Sequence, residues 1–179
     1  MGIYGARWIE RSNVLERMPM AALKISIATE TSATLRDEIE KLTPEHWAEF
    51  ADNQDIPLDI DWDTYMRMHG NGRLLVTTAR RNAELVGYQL LTATRHLHRD
   101  VLLISDAVTF IRPDTEARWL VLMRMLQHTV TDGRRRGATE FRFRVKTAHD
   151  YGRLLERIGG EPTEVTYLIP KRKQNVPVS

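Results

Sequence analysis

Cysteine is absent from the 179-residue chain. Its absence excludes a disulfide framework, a thiolate zinc site and a cysteine nucleophile, and it fits a cytoplasmic setting. Long apolar runs are absent as well. Nothing comes near the ~20 consecutive residues that a membrane-spanning helix needs, so no membrane role is expected. The N-terminal MGIYGARWIERSNVLERM carries arginines with no apolar block behind them, unlike a secretory signal. Ala6 stands where a myristoylation signal has Ser or Thr. Glycine is missing from one informative place, Pro113 to Trp119 (PDTEARW), where an apolar strand feeds into a long helix. A helix N-terminus offers unpaired N–H groups and a positive dipole end to anions. Without glycine, a phosphate has less access to the main chain there.

What is present describes an ordinary globular chain. Hydrophobic residues make up 42% and charged residues 28%, which suits one domain with a substantial core. Residues 1–20 show no clear period and read as an arm, 21–173 as the domain and 174–179 as a tail. The net charge of +2 conceals an asymmetry: from Arg36 to Asp63, ten acids stand against Arg36 and Lys41. From Arg134 to Arg157, eight basic residues stand against Glu140, Asp150 and Glu156. Either these segments pack against each other, or the basic one forms a groove for a polyanion. Arg142, Arg144 and Lys146 alternate on one strand face without stacking aromatics, so nucleic acid is not the expected partner.

The periodicity predicts a mixed α/β chain. Leu23, Ile25 and Ile27 alternate as a first strand. Ser32 or Thr34 can cap a helix with apolar face Leu35, Ile39 and Leu42, and Thr43-Pro44 restarts it with Trp47, Phe50 and Ala51 buried. Asp61 caps a short helix that Gly70 ends. Leu74–Ala79 and Leu85–Thr94 read as strands joined by a turn at Arg81-Asn82. The nearly all-apolar Val101–Ile111 reads as a central strand. A helix from about Glu116 to Arg135 buries Leu120, Met123, Leu126 and Val130, and Gly137 stops it. A strand through Phe141, Phe143 and Val145, a helix Tyr151–Ile158 and a strand Glu164–Ile169 complete six strands. His96 and His98 share a strand face but have no evident third ligand, so no metal is expected.

That order of elements resembles the GCN5-related N-acetyltransferase fold, over about Leu23 to Lys173. Glu84-Leu85-Val86-Gly87-Tyr88 is similar to the family's third strand. SDAVTFIRP is similar to its fourth strand ending in proline, and LLERIGG to its late helix. RVKTAHDYGRLLERIGGEPTEVTYLIPKR is similar to acetyltransferase-like proteins encoded by bacteriophages. The resemblance implies a mixed sheet of about six strands flanked by helices. It also implies a fourth and fifth strand that splay apart, with acetyl-CoA between them and its pyrophosphate on the next helix. The cofactor-contacting positions it implies are Thr109, Phe110, Ile111, Ala117, Arg118 and Trp119.

The family pattern at that helix is Arg or Gln, two residues, Gly, one residue, then Gly or Ala. Here the positions read Glu116-Ala117-Arg118-Trp119-Leu120-Val121. Glu116 brings a negative charge toward the phosphates and Arg118 a compensating cation. The glycine-free junction is expected to weaken CoA binding. For transfer to an amine, the base that the resemblance implies is Asp106, the only carboxylate of its strand. Leu155 fills the family's usual position for the acid tyrosine, and Tyr151, one helical turn earlier, is the substitute; His149 is a weaker candidate. Two readings stay open: an acetyl-CoA-dependent N-acetyltransferase of unknown acceptor amine, possibly phage-encoded, or a catalytically idle copy that binds a protein partner, as a virion component or host-directed factor. An oligomer is compatible with either, and the setting is the host cytoplasm or a virion if the source is a phage.

Overall fold

The computed structural model describes residues 24–31, 35–51 and 57–167. The first expected strand is β1 (Ile25–Thr29), whose Ile25 is buried. The proposed caps Ser32 and Thr34 lie outside the described residues, as do Leu23, Leu168 and Ile169. Helix α1 (Leu35–Phe50) buries Leu35, Ile39 and Leu42 as the period predicts. It does not restart at Pro44 but runs through it. Proline lacks the N–H that would bond the carbonyl four residues back. That carbonyl belongs to Glu40, and the Thr43 hydroxyl donates to it instead at 2.7 Å.

Asp61 caps α2 (Trp62–Gly70), its Oδ1 accepting the Thr64 N–H at 2.9 Å. Strands β2 (Leu74–Arg81) and β3 (Glu84–Arg95) form a hairpin. Its turn is Asn82-Ala83, both at positive φ, one residue later than expected; that geometry matches the right-handed twist of the flanking strands. Strand β4 (Leu102–Ile111) leads through a short loop into α3 (Arg118–Arg135), then β5 (Ala138–Arg142), a short 3-10 turn (Thr147–His149) and α4 (Gly152–Arg157).

Among the described residues the sheet has five strands in the order β1-β2-β3-β4-β5. All neighbours are antiparallel except β4 and β5. The sixth strand expected at Glu164–Ile169 does not form among the described residues, since 161–167 carry no regular structure. The strand expected through Val145 stops at Arg142, and the reason lies in the pairing. Beyond Ser105, β4 no longer pairs with β5, and the Arg144 N–H goes to the Asp106 side chain at 2.8 Å rather than to a strand carbonyl.

Helices cover both faces. On one, Leu35, Ile39 and Leu42 of α1 pack with Val76, Tyr88, Leu90 and Phe110. On the other, Leu120, Val121 and Met125 of α3 pack with Ala79, Val86 and Ile111. The buried face of α3 is thus Leu120, Val121, Met125, Leu126, Thr129 and Gly133. Met123, expected in the core, is only partly buried, because the helix is turned so that Met125 faces the sheet. Gly133 permits that approach: a Cβ there would lie 2.6 Å from both Ile104 Cδ1 and Phe141 Cε1.

The acidic α1 does not seek the basic segment Arg134–Arg157 as a block. Glu38 pairs with Arg80 at 2.6 Å, Glu45 with Arg112 at 3.5 Å and Glu49 with Arg118 at 2.8 Å. Lys146 does cross over, donating to the Phe50 carbonyl at 2.6 Å. Arg142 pairs instead with Glu140 and Glu164, both close in sequence or on the adjoining stretch.

Candidate active site

Pairing between β4 and β5 ends at Ser105, and the unpaired edge of β4 beyond it is the candidate cleft. Pairing covers only Leu102–Ser105 against Ala138–Arg142. The β4 residues from Asp106 to Ile111 keep β3 on one side and, among the described residues, have no strand on the other. Arg112 N–H bonds Val86 O at 2.8 Å. Alternation along an antiparallel strand then directs the peptide groups of Phe110 and Val108 toward β3 and those of Thr109 and Ile111 into the cleft. The side chains of Phe110 and Ile111 are 1% and 3% exposed and belong to the two cores. Of the expected cofactor positions on β4, Phe110 therefore contributes packing, while Thr109 and Ile111 present main-chain donors and acceptors.

Register makes Asp106 and Thr109 neighbours. Leu90 pairs with Val108 but Leu91 with Asp106, so Ala107 is the extra residue of a β-bulge. Without it, residues three apart would point to opposite faces. With it, Asp106 and Thr109 oppose Leu91 and Gln89 on the α3 face.

Asp106 is 6% exposed. Its Oδ1 accepts the Arg144 N–H, and its main-chain carbonyl accepts from the Arg144 guanidinium, both at 2.8 Å. Burial raises its pKa above the ordinary carboxylate value, against the pull of Arg144. Tyr151 precedes α4 and donates to the Arg144 carbonyl at 3.1 Å. Burial, and then the Asp106 charge, push its phenol well above the usual value. The fold thus brings both expected catalytic residues to one place, clasped around Arg144. His149 lies apart from them, its ring 4.4 Å from Phe50.

At the far end of the cleft stands the N-terminus of α3. Ala117 occupies the left-handed region (φ 50, ψ 40) and no side chain caps the helix. Trp119 and Val121 fill the positions of the family's two small residues, and Val121 is buried in the core. Trp119 is half-buried against the same core. Beside them Thr115 is buried with its hydroxyl unpartnered. An anion at this helix end competes with Glu49, which holds the Arg118 guanidinium through two 2.8 Å hydrogen bonds.

Three participants escape sequence reasoning: Glu49, His46 and Gln89. Glu49 reads as one of ten surface acids. Gln89 carries a faint signal, a lone polar residue inside the apolar run Leu85–Leu91. His46 stacks on Phe110 with ring centroids 5.1 Å apart, and its Nδ1 lies 2.8 Å from the Tyr88 hydroxyl. Burial, helped by Lys146 and opposed by Glu49, lowers its pKa from 6.5 to about 4. The unfolded chain binds a proton there that the folded chain does not, so stability is expected to fall as pH drops from about 6.5 to about 4. Thermal melts across that window check this: a His46→Phe variant has a flatter profile, and an unchanged slope assigns the acid sensitivity to other groups.

No family model matches the chain, and no curated protein matches its sequence. Solved structures do match. An aminoglycoside acetyltransferase from an uncultured soil metagenomic sample superposes with a TM-score of 0.63 at 13% identity, over 83% of this chain and 97% of that one. The chain has the GCN5-related N-acetyltransferase fold. A ribosomal-protein-alanine N-acetyltransferase from Brucella melitensis biovar Abortus 2308 gives 0.61 at 15% identity, over 82% and 99%. AAC(6')-Iy, in complex with the bisubstrate analogue CoA-S-monomethyl-acetylneamine, gives 0.60 at 15%, over 83% and 99%. The acetyltransferase fold here has five described strands where about six were expected. Among the described residues no helix is long and apolar enough to cross a membrane, and no three His, Cys, Asp or Glu side chains gather as a metal site.

Proposed function

We propose that this protein is an acetyl-CoA-dependent N-acetyltransferase. One observation carries the reading: β4 leaves β5 just where its Thr109 and Ile111 peptide groups face outward, in a cleft that ends at the uncapped N-terminus of α3. An extended amide-containing chain can pair with such a free strand edge while its phosphates meet the helix dipole. Acetyl-CoA, when bound, supplies the acetyl group as a thioester. In the transfer a C–N bond forms at the carbonyl carbon as the C–S bond breaks; the amine loses a proton and the departing sulfur gains one. The Asp106 carboxylate accepts the amine proton. Tyr151, whose phenol proton rests on the Arg144 carbonyl at 3.1 Å, would give up that bond to protonate the departing sulfur. Burial suits both roles, since it makes the carboxylate a stronger base and keeps the phenol protonated. The acceptor is an amine of unknown identity.

The idle-copy reading, with a role in protein binding, has one observation in its favour, the closed Arg118–Glu49 pair in a junction without glycine. No comparison bears on a phage origin. A titration with acetyl-CoA separates the readings. At 100 times its dissociation constant a ligand adds ~2.7 kcal/mol, which for a domain of this size raises the melting temperature by roughly 5–10 °C. Arg118→Ala is expected to weaken binding and Glu49→Gln to strengthen it, each by roughly 5–10-fold, as a guanidinium–phosphate contact is lost or freed. No shift at millimolar acetyl-CoA for any of the three proteins leaves the idle copy as the answer.

A further inference from the structure

A chain of buried hydroxyl and amide groups ends at the cleft. Thr77 Oγ1 lies 3.0 Å from Thr129 Oγ1, and Thr129 donates to Gln89 Oε1 at 3.0 Å. Gln89 Nε2 then donates to Thr109 Oγ1 at 3.1 Å. Gln89 is fully buried, and Thr77 and Thr129 nearly so. These groups span β2, α3, β3 and β4 inside an otherwise apolar layer. Burying four polar side chains costs free energy unless each is satisfied, and the chain satisfies them in one direction. Because Thr129 gives its proton to the Gln89 oxygen, the amide must present its N–H to Thr109. Thr109 is thereby an acceptor on the inner side, and its own hydroxyl proton has no acceptor among the described residues. Thr109 is half-buried, one register step from Asp106 on the same face.

We propose that the Thr109 hydroxyl donates a hydrogen bond to the thioester carbonyl of bound acetyl-CoA, and that Gln89 is the positioning residue that aims it. This rests on the acetyl-transfer reading. The bulge at Ala107 sets Asp106 and Thr109 ~7 Å apart along the strand, so a carbonyl carbon attacked beside Asp106 has its oxygen within reach of Thr109. As the amine attacks, the C=O π electrons move onto that oxygen. A donor already oriented by a cooperative chain then strengthens without reorganising. The main-chain groups of Thr109 and Ile111 hold any extended ligand in the cleft, acetylated or not; the hydroxyl distinguishes acetyl-CoA from CoA.

Calorimetric affinities of acetyl-CoA and CoA for the full chain test this in the wild type and in Thr109→Val, Thr109→Ser and Gln89→Met. The expected result is a preference for acetyl-CoA that Thr109→Val reduces roughly 5-fold, the value of one neutral hydrogen bond, with CoA affinity unchanged. Thr109→Ser keeps the preference. Gln89→Met, which leaves the hydroxyl in place but unaimed, lowers it by roughly 2–3-fold. An acetyl-CoA to CoA ratio equal to that of the wild type in Thr109→Val, or equal weakening of both ligands, overturns the assignment while the acetyltransferase reading stands. Binding of neither ligand by the wild type overturns both. If the valine variant does not fold, the Gln89→Met ratio decides: an unchanged ratio overturns the positioning role and with it the aimed donor.

Discussion

Replacing Asp106 with asparagine is expected to slow acetyl transfer by ~10²–10⁴-fold, the range for a lost general base, without lowering the melting temperature at neutral pH. The second half of that expectation follows from burial. Asp106 is 6% exposed and its pKa is raised, so the folded protein holds its proton more tightly than the unfolded chain does. The stability this group contributes is complete below the ordinary carboxylate range and is lost as pH rises through the folded pKa. Once ionised, Asp106 is a charged, desolvated carboxylate. Asparagine carries no charge, and its amide oxygen still accepts the Arg144 N–H. Rates and melts measured together across pH decide the matter. The wild-type rate should rise with pH as Asp106 ionises, and the variant should lose that rise while melting as high or higher. A folded asparagine variant with wild-type turnover assigns the proton transfer to another group.

Truncating Phe110 to alanine is expected to cost ~3–5 kcal/mol, as for other buried aromatics. Its ring is 1% exposed, stacked on His46 and set against Tyr88 and Phe50 at centroid distances of 5.8 and 6.4 Å. For a chain of this length the melting temperature should drop by roughly 6–20 °C. Phe110→Leu keeps most of the volume and should cost less than ~1.5 kcal/mol, with acetyl-CoA affinity unchanged, since only the main chain of this stretch faces the cleft. Weaker acetyl-CoA binding by the leucine variant at unchanged stability would move the ring from the core into the site.

The two experiments probe different consequences of one strand. On β4, the side-chain period sends Phe110 into the α1 core and Ile111 into the α3 core. The peptide groups alternate in the perpendicular direction, into and away from the sheet. On the proposed function, a ligand along this strand edge would meet Thr109 and Ile111 through the main chain, and Thr109 also through its half-buried side chain.

Much of this was legible in the sequence by itself. Leu35, Ile39 and Leu42 specified a helix face, Asp61 a cap, and the hairpin and the apolar Val101–Ile111 a sheet, because local period and turn chemistry act over a few residues. Asp106 stood out as the one carboxylate of an apolar strand, and Tyr151 as the one phenol beside the last helix. Other features depended on contacts between residues far apart in the chain. The end of β5 at Arg142 follows from the capture of the Arg144 N–H by Asp106, 38 positions away. The rotation of α3 toward Met125 follows from the space Gly133 leaves for Ile104 and Phe141. Arg118 looked like a free phosphate ligand until α1 placed Glu49 against it, 69 positions away. A bulge at Ala107 changes which side chains share a face, and it leaves no mark in composition or period. Local propensity determined the elements of this protein. Only the tertiary structure decided which polar groups are left unpaired at the cleft, because satisfaction of a buried donor or acceptor depends on every chain segment that packs against it.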